Sequence, residues 1–376
     1  MTPSVLFVAR TRYQLPLGET LQRRFDALSE VMDWRQLATS ATGIAIRDDR
    51  FTLVPRFPVA RLDGLAFYAL SPLRVAREIR AFHPDVVVVQ GAEDTALALL
   101  GRRLARSAAP VVLDVHGDWR TATRVYGSRV RRLLSPLADG LARVAVRRAD
   151  GVRTVSDFTT GLVREQGVEP TAVFPAYMDI APFTETDPVP LPTRPAALFV
   201  GVLERYKAID VLAAAWPEVA AAVPEAELRI VGRGTLQPLV EAMVEQGAGS
   251  VVWTPRLETT DVVTALDRAT LLVLPSRREG MGRVIVEAFC RGRAVVGTNS
   301  GGIPDLVEDG VNGLLVPVDD ARALAGALTS VLGDRPHAAA LSASAHAASV
   351  RWRATPDEFA QRMLGLVETV LAANDS

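Results

Sequence analysis

The sequence predicts an α/β chain built as two doubly wound, Rossmann-like domains. Three observations carry that prediction. Short apolar runs of strand length recur with helical patterns between them, a proline-rich stretch divides the runs into two sets, and several runs end in glycine-bearing turns. Near-continuous apolar strands alternating with helices imply parallel sheets covered on both faces.

In the first half the strand-like runs are Val5 to Ala9, Val86 to Val89, Val111 to Val115 and Gly151 to Val155. Between the halves lies Ala181 to Pro195, APFTETDPVPLPTRP, with five prolines in fifteen residues. Proline at that density denies both helix and sheet continuation, so the stretch reads as an interdomain linker. The second half carries Ala197 to Val202, Leu228 to Val231, Val251 to Trp253, Leu271 to Leu274, Ala294 to Val296 and Leu314 to Val316. From Trp352 a closing helix is expected, with Pro356 at its start and Phe359, Met363, Leu366, Val367 and Val370 at helical spacing. The expected divisions are a domain over 1–180, a linker over 181–195, a domain over 196–351 and a closing helix over 352–376. A single dehydrogenase-like chain is the structural alternative. The first strand, however, is not followed by a Gly-x-Gly-x-x-Gly turn.

Composition fits a soluble enzyme. The 42 basic residues nearly balance 43 acidic ones, so no global field recruits nucleic acid. The single cysteine, Cys290, reads as a packed core thiol, and a reducing cytosol is the natural compartment. The opening residues MTPSVLFVARTRY read as a first strand rather than a signal peptide, and no apolar run approaches the ~20 residues that span a bilayer.

The most informative stretch runs from Leu272 to Asp305, LVLPSRREGMGRVIVEAFCRGRAVVGTNSGGIPD. It reads as strand, glycine loop, helix, strand, glycine loop, a design that presents backbone N–H groups to an anion. Glu279 and Glu287 lie eight residues apart around that loop. On one continuous helix they would be ~12 Å apart, too far for an acid/base dyad. They read instead as two grips on different parts of one extended phosphate-bearing ligand.

This stretch resembles the glutamate-x7-glutamate signature of the family-four retaining glycosyltransferases, which have the GT-B fold. The resemblance implies two Rossmann-like domains with a cleft between them and a final helix crossing back onto the N-terminal, acceptor-binding domain. It further implies that Glu279 contacts the donor sugar and Glu287 the ribose, while Gly280, Met281, Gly282, Arg283 and Val284 bind the donor from the loop and helix start. Phe199 to Leu212, FVGVLERYKAIDVL, resembles the family segment that meets the donor diphosphate. Gly201 matches, and Lys207 takes the place of the phosphate-binding lysine, where a fixed ammonium neutralises charge that grows as the glycosidic bond breaks. The family arginine after the glycine is Val202 here, and the glycine after the lysine is Ala208; Arg205 is placed to supply a guanidinium from the turn. Gly232, in IVGRG, is implied as a wall of the donor site, and Arg256 and Leu257 fall where relatives hold the nucleobase through the main chain.

In the first domain His116, in LDVHGDWR, resembles the family histidine that reaches the donor sugar. The triplet Asp114-x-His116-x-Asp118 invites a metal assignment, but the Gly117 turn breaks its alternation, and the expectation is no metal and no cofactor. On the acceptor side only Gly18 offers backbone comparable to the family's paired glycines. Arg10 and Arg12 read equally as contacts to an anionic acceptor or as a solvated loop. Nine arginines lie between Arg120 and Arg153, interleaved with Val130, Leu133, Leu134, Leu137, Leu141, Val144 and Val146. They read equally as a surface for an anionic membrane or as a solvated face over core-packed helices.

The expected activity is retaining transfer of a hexosyl group from a nucleotide diphosphate sugar to a hydroxyl acceptor, lipid-linked or a growing envelope or extracellular glycan. The enzyme is expected in the cytoplasm, peripheral on the membrane's inner face, without a nucleic-acid partner. Two alternatives stay open at this point. One is a non-catalytic nucleotide-sugar-binding subunit, and the other is a sugar-nucleotide epimerase or phosphorylase of the same fold.

Overall fold

Two parallel sheets organise the chain, seen here in a computed structural model that describes residues 2–55, 63–120, 135–247 and 249–374. The chain divides into two units, residues 1–177 with 354–376 and residues 178–353.

The first unit holds an eight-stranded sheet in the order β3-β4-β2-β1-β5-β6-β7-β8. Its strands are β1 (Ser4–Tyr13), β2 (Asp33–Ser40), β3 (Ile46–Arg47), β4 (Phe51–Val54), β5 (Val86–Gln90), β6 (Val111–Val115), β7 (Gly151–Thr154) and β8 (Ala172–Val173). Apart from the short antiparallel β3, every pairing is parallel. Alternate residues of the central strands feed different cores. Val5, Phe7, Val86 and Val88 pack with the helices Glu19–Val31 and Pro356–Asn374, while Leu6, Val8, Val87 and Val89 pack under Asp63–Phe82 and Ala92–Ala105. The closing helix therefore belongs to the first unit, burying Phe359, Met363, Leu366, Val367 and Val370. The first strand runs on to Tyr13, so Arg10 and Arg12 lie within β1, beside a register shift against β2, and not in a loop.

The second unit holds a six-stranded, all-parallel sheet in the order β11-β10-β9-β12-β13-β14. These are β9 (Ala196–Val200), β10 (Glu227–Val231), β11 (Val251–Thr254), β12 (Leu271–Leu274), β13 (Ala294–Thr298) and β14 (Gly313–Val316). Each corresponds to an apolar run read from the sequence. The central strands β9, β12 and β13 are buried on both sides, as parallel strands covered by helices must be, while the edge strand β11 exposes Val252.

The proline-rich segment expected as a linker is bound to the second unit. It opens with the short helix Ala181–Thr184, whose Phe183 is in the core. Arg291, fully buried, pairs with Asp267 at 2.8 Å and donates to the carbonyls of Thr186 at 2.6 Å and Asp187 at 3.1 Å. Arg293 reaches Val189 at 3.0 Å, and Arg335 reaches Leu191 at 2.9 Å and Pro192 at 2.6 Å. Prolines remove N–H donors but leave carbonyls, and guanidinium forks satisfy them here.

Of the basic stretch 120–153, residues 121–134 fall outside the described residues, with Val130, Leu133 and Leu134 among them. No described helix is long and apolar enough to cross a membrane.

Candidate active site

In the second sheet the chain winds one way from β9 to β10 and β11, and the other way from β12 to β13 and β14. The carboxyl ends of β9 and β12 therefore mark the topological switch point, where a doubly wound sheet leaves an open crevice for a ligand. Both segments singled out from the sequence start there.

After β9, the chain passes Gly201 and enters a short 3-10 turn, Arg205–Lys207. After β12 it passes Pro275 and Ser276 to Glu279. The Nζ of Lys207 donates to Oε2 of Glu279, and both side chains are largely buried. Ser276 donates to the same carboxylate oxygen at 3.4 Å. Lys207 is also the only lysine in a chain with 41 arginines. Every other basic position is met by a guanidinium, and this one by a compact ammonium.

One residue the sequence reading passed over makes that meeting possible. Arg277 donates its backbone N–H to the Tyr206 carbonyl at 2.8 Å, and its guanidinium reaches the carbonyl of Arg205. The guanidinium also grips Asp210 through two bonds of 2.9 and 2.7 Å and Asp319 at 2.6 Å. The β12 loop is thus tied to the lysine turn. Arg205 contributes a carbonyl to this brace while its own side chain is exposed. Only the count of arginines near the motif signalled any of this.

Glycines let the loops nest. Gly232 has φ +150°, and a Cβ there would lie 1.8 Å from the Gly201 carbonyl oxygen, so the loops after β9 and β10 touch backbone to backbone. The loop after β13 presses likewise on the glutamate loop. A Cβ on Gly301 would lie 2.2 Å from the Glu279 carbonyl oxygen, and one on Gly302 equally close to that of Gly280. Gly302 N–H donates to that Glu279 carbonyl at 2.8 Å. Gly282, at φ +74°, then starts the helix Arg283–Cys290. Its first N–H groups have no partner within the helix and suit an anion.

Met281 is buried and Val284 packs against the core of this unit. Glu287 is buried on the same helix and accepts from Arg283 at 2.8 Å. Burial pushes its carboxyl up, against the pull of Arg283. Arg256 and Leu257 follow β11, two strands away from β9; Arg256 is exposed and pairs with Glu258 at 3.1 Å, and Leu257 leans on the core.

In the first unit His116 follows β6 and its Nε2 lies 2.8 Å from Asp114. Asp114 stands opposite Arg153 of β7, and both its oxygens accept from that guanidinium at 2.8 Å. Burial works against the charged carboxylate, but Arg153 and then His116 outweigh it and hold the Asp114 carboxyl well below its usual range. Arg153, itself buried, also donates to the carbonyls of Phe174 and Pro175 and lies 4.0 Å from the Phe174 ring centre. Asp118 is taken by Arg120 at 2.9 Å. The acids flanking His116 are thus committed to arginines.

The switch point of the first sheet lies between β1 and β5. There Arg10 donates to the Tyr68 hydroxyl at 3.3 Å and lies over the Phe67 and Tyr68 rings. Arg12 is exposed, and Gly18 caps the helix Glu19–Val31 by backbone alone. After β5 stands an acidic pair the sequence reading missed, Glu93 and Asp94. Burial raises both carboxyls, that of Asp94 to about 7, and Oδ1 of Asp94 is buried without a hydrogen-bond partner.

Comparison with known proteins matches residues 32–181 to "Glycosyltransferase Family 4" and residues 194–334 to "Glycosyl transferases group 1". The D-inositol 3-phosphate glycosyltransferase of Nocardia farcinica is 34% identical over 193 residues, 48% of this chain and 41% of that protein. The phosphatidyl-myo-inositol mannosyltransferase of Mycolicibacterium smegmatis is 29% identical over 255 residues, 66% of this chain and 62% of that protein. A glycogen synthase of Mycobacterium tuberculosis is 30% identical over 287 residues, 74% of this chain and 66% of that protein. The matched segments span between about two-fifths and two-thirds of these relatives. Among solved structures, sucrose-phosphate synthase from Thermosynechococcus elongatus superposes with TM-score 0.75 at 18% identity, covering 96% of this chain and 98% of that one. HepE of Anabaena, solved in complex with UDP, gives TM-score 0.69 at 18% identity, covering 96% and 99%.

Proposed function

The chain belongs to the family-four glycosyltransferases and has their GT-B fold, and from that premise we propose that it is a retaining hexosyltransferase using a nucleotide diphosphate sugar. The observation that supports this most is the Lys207–Glu279 pair at the switch point of the second sheet. An ammonium held there meets the charge that develops on a departing diphosphate, and a carboxylate beside it accepts hydroxyl hydrogen bonds from a sugar.

In this reading Lys207 neutralises the leaving phosphate, Glu279 and the nested glycine loops hold the sugar and pyrophosphate, and Glu287 binds the ribose. His116, oriented by Asp114 and Arg153, is assigned to the sugar. The acceptor oxygen forms its bond to the anomeric carbon as the carbon–phosphate-oxygen bond breaks on the same face. The acceptor proton passes to the departing phosphate oxygen, so no protein nucleophile is required and the alpha configuration is kept. The role of counter-charge falls to Lys207 rather than to a metal. The acceptor is read as a lipid-linked or growing glycan, with the enzyme peripheral on the cytoplasmic face of a membrane.

The test uses a panel of uridine and guanosine diphosphate sugars. At least one should raise the melting temperature, because a ligand that binds only the folded state stabilises it by mass action. The same donor should be slowly hydrolysed, in the presence of a chelator, to an alpha-configured sugar. Absence of stabilisation by every donor would refute the binding site, and a beta product would refute the retaining course. Binding without hydrolysis or transfer would leave a non-catalytic subunit.

A further inference from the structure

The two helical layers of the first unit differ in kind. On one face of its sheet the helices Asp63–Phe82, Ala92–Ala105 and Ser135–Arg148 lie side by side. Gly101 of the middle helix sits directly against Val75 and Pro72 of the first. Among the described side chains of these three helices, every exposed one is either apolar or arginine. The large apolar ones are Leu70, Leu73, Leu100, Leu104, Leu141 and Val144, with Leu73 60% and Val144 55% exposed. The charged ones are Arg77, Arg80, Arg103, Arg143, Arg147 and Arg148. The described acids of these helices are placed elsewhere: Glu78 and Asp139 are buried, and Glu93 and Asp94 lie half-buried in the first turn of the middle helix.

The opposite face is covered by Glu19–Val31 and Pro356–Asn374. Its exposed charges are Glu19, Asp26, Glu30, Asp357, Glu358 and Glu368 against Arg362 alone, and neither helix exposes a large hydrophobic side chain. These three helices therefore form an arginine-and-leucine surface opposite an acidic, polar one. The short helix Asp157–Arg164, which packs beside Ser135–Arg148 on the same side, exposes Asp157 and Arg164 at its edge. Packing does not require this, since outward positions on both layers are free to be polar. A single exposed leucine is ordinary; five leucines and a valine on three adjacent helices form a patch. Guanidinium groups among leucines suit a surface of phosphates over hydrocarbon, because they bind phosphate oxygens in pairs and are weakly hydrated.

We propose that this helical layer docks on an anionic phospholipid bilayer. Its leucines enter the boundary between headgroups and acyl chains, its arginines bind lipid phosphates, and the acidic layer faces the aqueous side. The proposal deepens the reading of a membrane-peripheral enzyme by naming its surface. Vesicle binding is measured without donor or acceptor, so the two readings fail separately.

The full chain is sedimented with vesicles of phosphatidylcholine alone and of phosphatidylcholine with an equal part of phosphatidylglycerol. Binding should need the anionic lipid and weaken with salt. The pair Arg103→Glu with Arg143→Glu should lower affinity at least about tenfold, each arginine near the surface being worth a factor of about five. The pair Leu73→Ser with Leu100→Ser should lower it independently of salt. Asp357→Lys with Glu368→Lys, on the other layer, should leave binding intact, and circular dichroism and donor hydrolysis should be unchanged in all three. The proposal is overturned if the wild-type chain does not bind, if it binds neutral vesicles equally, or if the two face variants sediment like wild type. It is also overturned if sedimentation velocity shows a dimer that these same substitutions dissociate, because a second copy would then be the occupant.

Discussion

Lys207 and Glu279, 72 residues apart in sequence, form an ion pair between the loops that follow β9 and β12. Each is largely buried and holds the other at the carboxyl ends of β9 and β12, the seat proposed above for a diphosphate sugar. Lys207→Ala and Glu279→Gln should each lower turnover about 10²–10³-fold, the usual effect of removing one group that stabilises developing charge, with far-ultraviolet circular dichroism unchanged. Lys207→Arg should restore little, since a planar guanidinium fork does not reproduce the compact ammonium held against Glu279. Near-normal turnover in both single variants would remove these residues from the site.

Arg277 acts on the same pair from behind. Arg277→Ala removes four side-chain attachments and should destabilise the fold by about 2 kcal/mol, measured by denaturant titration. The Michaelis constant for the donor should also rise, because the turn carrying Lys207 is released. A variant as stable as wild type with an unaltered Michaelis constant would show that the brace is ornamental.

Glu287 is the second glutamate of the motif and is buried beside Arg283. Its assigned partner is the ribose, so Glu287→Ala should weaken nucleoside diphosphate binding by about 1–3 kcal/mol, the range for a lost hydrogen bond to a charged group. Calorimetry with the free nucleotide tests this directly. Unchanged affinity would exclude the ribose role.

Glycines should respond according to what surrounds them. Gly232→Ala places a methyl group 1.8 Å from a carbonyl oxygen and should cost more than ~3 kcal/mol or prevent folding. Gly326→Ala, exposed in the helix Ala321–Leu332 with open space around it, should stabilise by ~0.5–1 kcal/mol. Equal responses would mean that the contact between the β9 and β10 loops is absent in solution.

Asp94 gives the pH dependence a sign. Burial first, then Glu93, raises its carboxyl from 3.8 to about 7, against the pull of Arg10. The folded chain then holds this proton more tightly than the unfolded chain does. Well below pH 3.8 the group is neutral in both states; as pH rises from there to about 7 the unfolded chain ionises it while the folded chain keeps it protonated, so stability is lost across that window. Asp94→Asn should therefore gain melting temperature over wild type from pH 4 to about pH 7 and level off above it. A gain that is flat between pH 4 and 7, or that shrinks there, would contradict this.

Much of this was legible in the sequence because parallel strands buried on both faces leave unbroken apolar runs, and all six strands of the second sheet were read that way. β2 was not, since Gln36 lies in its middle. That side chain is buried and satisfied by the carbonyls of Phe7 and Leu37, a compensation that only the fold reveals. Lys207 and Glu279 could be named from a motif, but their mutual bond could not, because it depends on two strand ends becoming neighbours. Arg277, Arg153 and Asp94 were illegible for the same reason: each acts on groups remote in sequence. The proline-rich segment begins beside the boundary between the units, but its attachment to the second was illegible, because composition shows the missing N–H donors and not the guanidinium groups that gather its carbonyls.

The lone lysine has a practical meaning. Apart from the α-amino group, the chain offers amine-selective chemistry a single nitrogen, and that nitrogen sits at the proposed phosphate seat. Reductive methylation with labelled formaldehyde would install one side-chain isotopic reporter without mutagenesis. Its resonance would record arrival of a donor and departure of the nucleotide in one spectrum.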